Sequence, residues 1–155
     1  MSRYFEVVSD TYRKTIGDIT LPTRATKSSI AYDFYSPINI TIKPMQSVMI
    51  WTDVKAKFND DEALLINVRS SMGKHPVMIA NTQGWIESDY YSNADNDGNI
   101  GVRLLNLGTE PYIIKRGDRI AQGMFIKYLT ADNGNTDVQR TGGFGSSGKE
   151  WIIHT

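Results

Sequence analysis

Apolar and polar residues alternate along Ile38-Asn39-Ile40-Thr41-Ile42, which puts three isoleucines on one side of an extended backbone and the polar residues on the other. The same two-residue period recurs at Val54-Lys55-Ala56-Lys57-Phe58. Short apolar runs without helical spacing lie at 47–51, 63–68, 100–107, 112–114 and 120–128. Turn-forming clusters separate them: Lys43-Pro44, Asn59 to Glu62, Asp95 to Asn99, Glu110-Pro111 and Arg116-Gly117-Asp118. Strand-length runs at such close spacing predict an all-β subunit, a β-sandwich or distorted jelly roll. At most one short helix is expected, after Ser70-Ser71, with a serine as its N-cap. The polar stretch Tyr91 to Asn99 reads as a surface loop. From about Thr130 the pattern gives out, and a glycine-rich flexible arm is expected to leave the body.

A chain of 155 residues fits one domain: a body over about 1–129 and an arm over about 130–155. Its 17 basic and 17 acidic side chains cancel, so there is no basic surplus for coating nucleic acid, and any anionic ligand needs a local cluster. Cysteine is absent, which excludes disulfides and thiolate metal sites. His75 and His154 stand too far apart in sequence to suggest a zinc site. The opening residues lack an apolar core of signal-peptide length and no segment suits a bilayer, so the cytoplasm is the expected location.

The chemistry lies in polar groups that interrupt the β pattern. Arg140 to Lys149 holds four glycines, two serines, a cation at each end and Phe144 in the middle. Such a backbone can turn successive N–H groups toward an anion, while the aromatic ring offers a base a stacking face. Asp33 is an acid among aromatics, and Arg69-Ser70-Ser71 closes one apolar strand with a cation and two hydroxyls. Asn81 to Tyr90 brings an amide, a glycine, two acids and aromatics within ten residues. The amide can donate and accept, as reading a pyrimidine edge requires, and a carboxylate can take a proton from water. Gln122 follows the turn at Arg116-Gly117-Asp118.

In order and content these segments resemble the five motifs of the trimeric dUTPase family, over about Ser28 to Lys149. The first is Ala31 to Ser36, the second Val68 to Gly73, the third Gly84 to Tyr90, the fourth Arg116 to Gln122 and the fifth Arg140 to Gly148. The resemblance implies a single jelly-roll domain, a homotrimer with shared active sites, and Mg²⁺-dependent cleavage of dUTP to dUMP and pyrophosphate. Such cleavage keeps uracil out of DNA and supplies dUMP for thymidylate synthesis. By motif position, Asn81 would bond the uracil edge with the backbone of its own β-hairpin, including Trp85, Ile86 and Gly101. Tyr90 would pack beneath the deoxyribose and exclude a ribose hydroxyl. Arg69, Ser70, Ser71 and Gln122 would hold the phosphates, and Asp33 would approach Mg²⁺ through water. The arm would close with Phe144 and Gly145 over the base and with Arg140, Ser146 and Ser147 on the terminal phosphate.

The chain departs from the family pattern in three places. Glu87 stands where the family carries the water-activating aspartate; it is assigned as the base, with Asp89 in reserve. The arm arginine is Arg140, one residue nearer the glycines than usual, and Gln139 occupies the family position. Tyr91 to Asn99 lengthens the segment after the third motif; a regulatory partner could find room there, though no residue calls for one. Three rival readings stand beside the dUTPase one: a dCTP deaminase of the same fold, which lacks its acid/base because Arg103 takes that place; a non-catalytic protein that senses dUTP; and a structural jelly roll such as a coat protein, which explains the strands but not the five motifs.

Overall fold

The computed structural model describes residues 2–145, so Ser146 and Ser147 lie outside the described residues. Among the described residues there are eleven strands, joined by loops and three short 3₁₀ turns: β1 (Tyr4–Val7), β2 (Tyr32–Tyr35), β3 (Ile40–Ile42), β4 (Ser47–Trp51), β5 (Val54–Lys57), β6 (Glu62–Asn67), β7 (Val77–Ile79), β8 (Gly84–Glu87), β9 (Gly101–Asn106), β10 (Tyr112–Ile114) and β11 (Arg119–Lys127). All pairings are antiparallel. They form a four-stranded sheet β2-β11-β6-β8, a three-stranded sheet β4-β9-β7, and the two-stranded ribbons β1-β5 and β3-β10. Phe34, Ile50, Leu64, Ile79, Ile86, Val102, Leu104 and Ile120, from both larger sheets, meet in one hydrophobic core with Ile42 and Ile114 of a ribbon. Among the described residues no helix is long and apolar enough to cross a membrane.

The predicted periodicity holds where a strand has one wet face. Along β9, Val102, Leu104 and Asn106 are buried while Arg103 between them is exposed. It fails at β5, where Lys55 is buried along with Val54 and Ala56. Its ammonium lies 3.0 Å from Asp97 and 3.4 Å from Glu6, so ion pairing compensates the burial that a lone lysine would resist. Four strands escaped the sequence pattern: β1, β2, β7 and β8. Each is only three or four residues long and lies in a stretch without a clear alternating or apolar run on either side.

Three expectations need correction. The helix after Ser70 is a five-residue 3₁₀ turn, Ser70–Lys74, whose N-cap is Arg69 and carries no side-chain cap bond. The segment 91–99 is not a plain surface loop, because Asn93, Asp97 and Asn99 are buried. Asn99 and Asp53 exchange bonds (Asn99 Nδ2 to Asp53 Oδ1, 2.8 Å; Asp53 N to Asn99 Oδ1, 2.9 Å), and Asp97 accepts from the backbone N–H of Ser9 at 2.8 Å. Asn81 does not sit in a hairpin: β7 pairs with β9 in one sheet and β8 with β6 in the other, so the turn between them bridges the two.

The start of the chain is tied down by charge. Glu62, on β6, is buried and accepts from the Arg3 guanidinium and from Asn59. The bond from Arg3 is the chief cause that holds the Glu62 carboxyl down to about 2, below its ordinary 4.5. A depressed carboxyl contributes its stability above its unfolded value and loses it as pH falls through the folded one. Urea denaturation between pH 4.5 and 2 should therefore show a falling midpoint. Glu62→Gln should lower the midpoint at neutral pH and flatten that acid limb; an unchanged acid limb would remove Glu62 as its source.

Candidate active site

The bridge from β7 to β8 opens a cavity of about 370 Å³ between the sheets. Thr82 at its tip has φ 68°, an unfavourable conformation for a β-branched residue. The turn is closed by Thr82 N to Ile79 O (2.8 Å) and Gln83 N to Asn81 O (2.8 Å). Asn81 lines the cavity from this turn, and Trp85, Ile86 and Glu87 line it from β8. Ile86 points into the core while its neighbours Trp85 and Glu87 are exposed, as alternation along a strand requires. Gly101 forms part of the opposite wall, where a Cβ would come within 2.8 Å of Met49 Sδ and 2.9 Å of the Trp51 ring.

Tyr90 closes the cavity from a 3₁₀ turn, Ser88–Tyr90. Its hydroxyl donates to Asn99 O at 2.7 Å and accepts from Asn96 Nδ2 at 2.8 Å. Burial pushes the Tyr90 phenol above its ordinary value, so it serves as a neutral, fixed ring. Asp89 lies in the same 3₁₀ turn but lines a separate groove against the arm; Glu87 borders both spaces.

The described part of the arm returns to this cavity, with Phe144 and Gly145 among its lining residues. Arg140 donates from Nε to Asp89 at 2.8 Å and from Nη2 to Glu87, with its guanidinium 5.7 Å from the centre of the Tyr90 ring. The guanidinium expected on a terminal phosphate thus rests on both candidate carboxylates.

A second cavity, about 400 Å³, is lined by Asp33, Arg69, Ser70 and Gln122. Strand register assembles it: Gln122 on β11 faces Asp33 on β2 and Asn67 on β6, a polar row across three strands. Asp33 is buried, receiving Arg69 Nε at 2.6 Å and Arg119 Nη1 at 3.4 Å. Arg69 is the cation in the lining, and Arg119, outside the lining, reaches Asp33 from beside it. Ser71 is exposed and does not line it, but accepts from Arg69 at 3.1 Å. The two cavities have no lining residue in common.

Sequence reasoning missed Asn67, Arg103, Gln83 and Arg119. Asn67 and Arg103 become site residues only through cross-strand register, for which a single strand carries no signal. Arg119 was legible as part of the fourth motif.

Among the described residues no group of three or more His, Cys, Asp or Glu could hold a metal. Both Asp33 oxygens are engaged by arginines, so the donor set suits a cation carried by an anionic ligand and met through water.

A family model for dUTPase matches residues 17–148. The deoxyuridine 5'-triphosphate nucleotidohydrolase of Lactococcus lactis is 37% identical over 149 residues, covering 94% of this chain and 97% of its own length. The enzyme of the same description from Shewanella amazonensis is 36% identical, covering 84% and 88%. The crystal structure of dUTPase from Streptococcus mutans superposes with a TM-score of 0.73 at 29% identity, over 83% of this chain and 98% of that one. The dUTPase of phage phi11 of Staphylococcus aureus, described with a structural Mg(II) ion, shares the fold at 18% identity, with a TM-score of 0.68 over 89% and 98% of the two chains.

Proposed function

The chain belongs to the dUTPase family and hydrolyses dUTP to dUMP and pyrophosphate; from that premise we propose how its residues divide the work. The reading is carried by the convergence of Asn81, Glu87, Tyr90 and Phe144 on one cavity. Asn81 and the backbone at Trp85, Ile86 and Gly101 take the uracil edge. Tyr90 lies beneath the deoxyribose, and Phe144 with Gly145 covers the base. A wrong base leaves buried polar groups unpaired, which makes such a pocket discriminating.

The phosphates go to the cavity of Arg69, Ser70 and Gln122, with Ser71 beside Arg69. A five-residue 3₁₀ turn has little macrodipole, so the guanidinium and hydroxyls do this rather than a helix end. Asp33 would meet Mg²⁺ through water, and when bound that ion supplies charge neutralisation to the triphosphate.

Glu87 is the base. It takes a proton from a water whose oxygen attacks the α-phosphorus; the bond from that phosphorus to the bridging oxygen breaks, and pyrophosphate leaves with the electron pair. Its extra methylene, roughly an ångström of reach, must be held in place. Glu87 lines the base-side cavity, which supports that reading, whereas Asp89 lines only the groove outside; Arg140 pairs with both and does not choose between them. Since base-side and phosphate-side cavities share no lining residue, one chain does not offer a joined site, and a homotrimer with sites built between chains satisfies both halves. Arg103 stands where the deaminase branch needs its acid, which disfavours that rival.

Pyrophosphate release should be fast with dUTP and Mg²⁺ and barely detectable with dCTP, dTTP and UTP; equal rates on all four, or ammonia from dCTP, would overturn the substrate assignment. Glu87→Gln should cut turnover about 10²- to 10⁴-fold while Asp89→Asn retains most of it. The reverse ranking would move the base to Asp89. Asn81→Ala and Arg69→Ala chains, each inactive alone, should regain about a quarter of native activity when refolded as an equal mixture, because a site drawing on two chains then finds both intact partners. No recovery would mean that each chain builds its own site.

A further inference from the structure

The segment 91–99 has no role in the division of work above, yet it touches both the arm and the sugar-side tyrosine. Asp95 Oδ2 accepts the backbone N–H of Gly143 at 2.8 Å. Gly143 is buried, and a Cβ there would stand 2.9 Å from Asn96 Nδ2 and 3.1 Å from Asn96 Cγ. Only a glycine lets the arm lie flat on that amide. Asn96 in turn donates from Nδ2 to the Tyr90 hydroxyl at 2.8 Å.

Asn96 is held in one orientation. Its Oδ1 accepts from Asn93 Nδ2 at 2.8 Å and from Gly98 N at 3.0 Å, which leaves Nδ2 for Tyr90. Asn93 is buried, donating also to Tyr90 O at 2.8 Å and accepting from the N–H groups of Asp95 and Asn96 at 3.0 and 3.2 Å. One rigid knot therefore carries the acceptor for the arm, the surface on which Gly143 rests and the donor to Tyr90.

We propose that residues 91–99 are the seat of the closing arm, and that Asn96 is a positioning residue linking the seated arm to the tyrosine beneath the sugar. The coupling to substrate rests on the reading of Tyr90 as the sugar floor. The seat itself needs only the contacts of Asp95, Asn96 and Gly143. The seated arm packs on the same Asn96 amide that donates to the Tyr90 hydroxyl, which ties closure over the base to exclusion of a ribose.

Trypsin cleavage at Arg140–Thr141, followed by mass spectrometry on the full chain without nucleotide, reads seating, because the Arg140 side chain is largely covered with the arm down. Asp95→Ala should raise that cleavage about tenfold, and Asp95→Asn should restore most of the protection because its amide oxygen still accepts. Gly143→Ala should expose the bond similarly, whereas in an Asn96→Ala background the same change should add little, since the clashing amide is gone. Asn96→Ala should lower the dUTP-over-UTP preference in kcat/KM about fivefold, with melting temperature as the control for folding. Native protection in both Asp95→Ala and Gly143→Ala would overturn the seat, and an unchanged dUTP-over-UTP ratio in Asn96→Ala would overturn the coupling. A native chain inert toward dUTP but with Asp95-dependent protection would uphold the seat and defeat the functional reading instead.

Discussion

The crossing between β7 and β8 is the constraint on which the candidate site depends. Because β7 is bound to β9 and β8 to β6, their connection must span two sheets, and the core cannot close beneath it. A hairpin would have brought these strands together and filled the gap with side chains. The separation leaves a cavity floored by Ile66, Ile79, Ile86 and Val102, with polar groups confined to its rim. That combination suits a planar heterocycle, which needs an apolar slot and a few directed hydrogen bonds. The left-handed Thr82 is the local cost of the crossing, and the bonds that close its turn hold it there.

Electrostatics follows a common plan in both halves. Arg69 and Arg119 rest on buried Asp33, and Arg140 rests on Glu87 and Asp89. Each pairing holds a long cation in place before ligand arrives, which reduces the entropy lost when a phosphate is gripped. The pairs differ in strength. Glu87 and Asp89 are more than half exposed, with side-chain accessibilities of 63% and 55%, so their pairing with Arg140 is a weak surface one that a change in ligand or arm can reset. The Asp33 side chain, at 8%, is shielded from screening, so the Arg69 guanidinium stays where it is. A fixed phosphate side and a resettable arm side are what a site that opens and closes requires.

Much of the fold was legible before any coordinates. The runs at 47–51 and 112–114 match β4 and β10 to the residue, because edges marked by Pro44 and Pro111 leave little room for error. Strands such as β2 and β8 stayed hidden, since their few residues mix acids with aromatics and so break the apolar pattern. Lys55 was misread because a charged residue on an apolar strand normally faces water, and its partner Asp97 lies 42 residues away. The polar 91–99 stretch was misread for the same reason: its asparagines satisfy one another and the backbone, and composition cannot reveal mutual satisfaction.

The residue types of the site, their order and their spacing belong to the sequence, because amide, carboxylate, guanidinium and glycine each carry chemistry wherever they stand. Which of them meet belongs to the tertiary structure. The row Asp33–Gln122–Asn67, the choice of Glu87 over Asp89 for the cavity, and the placing of Arg140 on both acids arise from strand register and from a chain that folds back. Contacts between residues dozens of positions apart depend on how the whole core packs, and no local pattern encodes that.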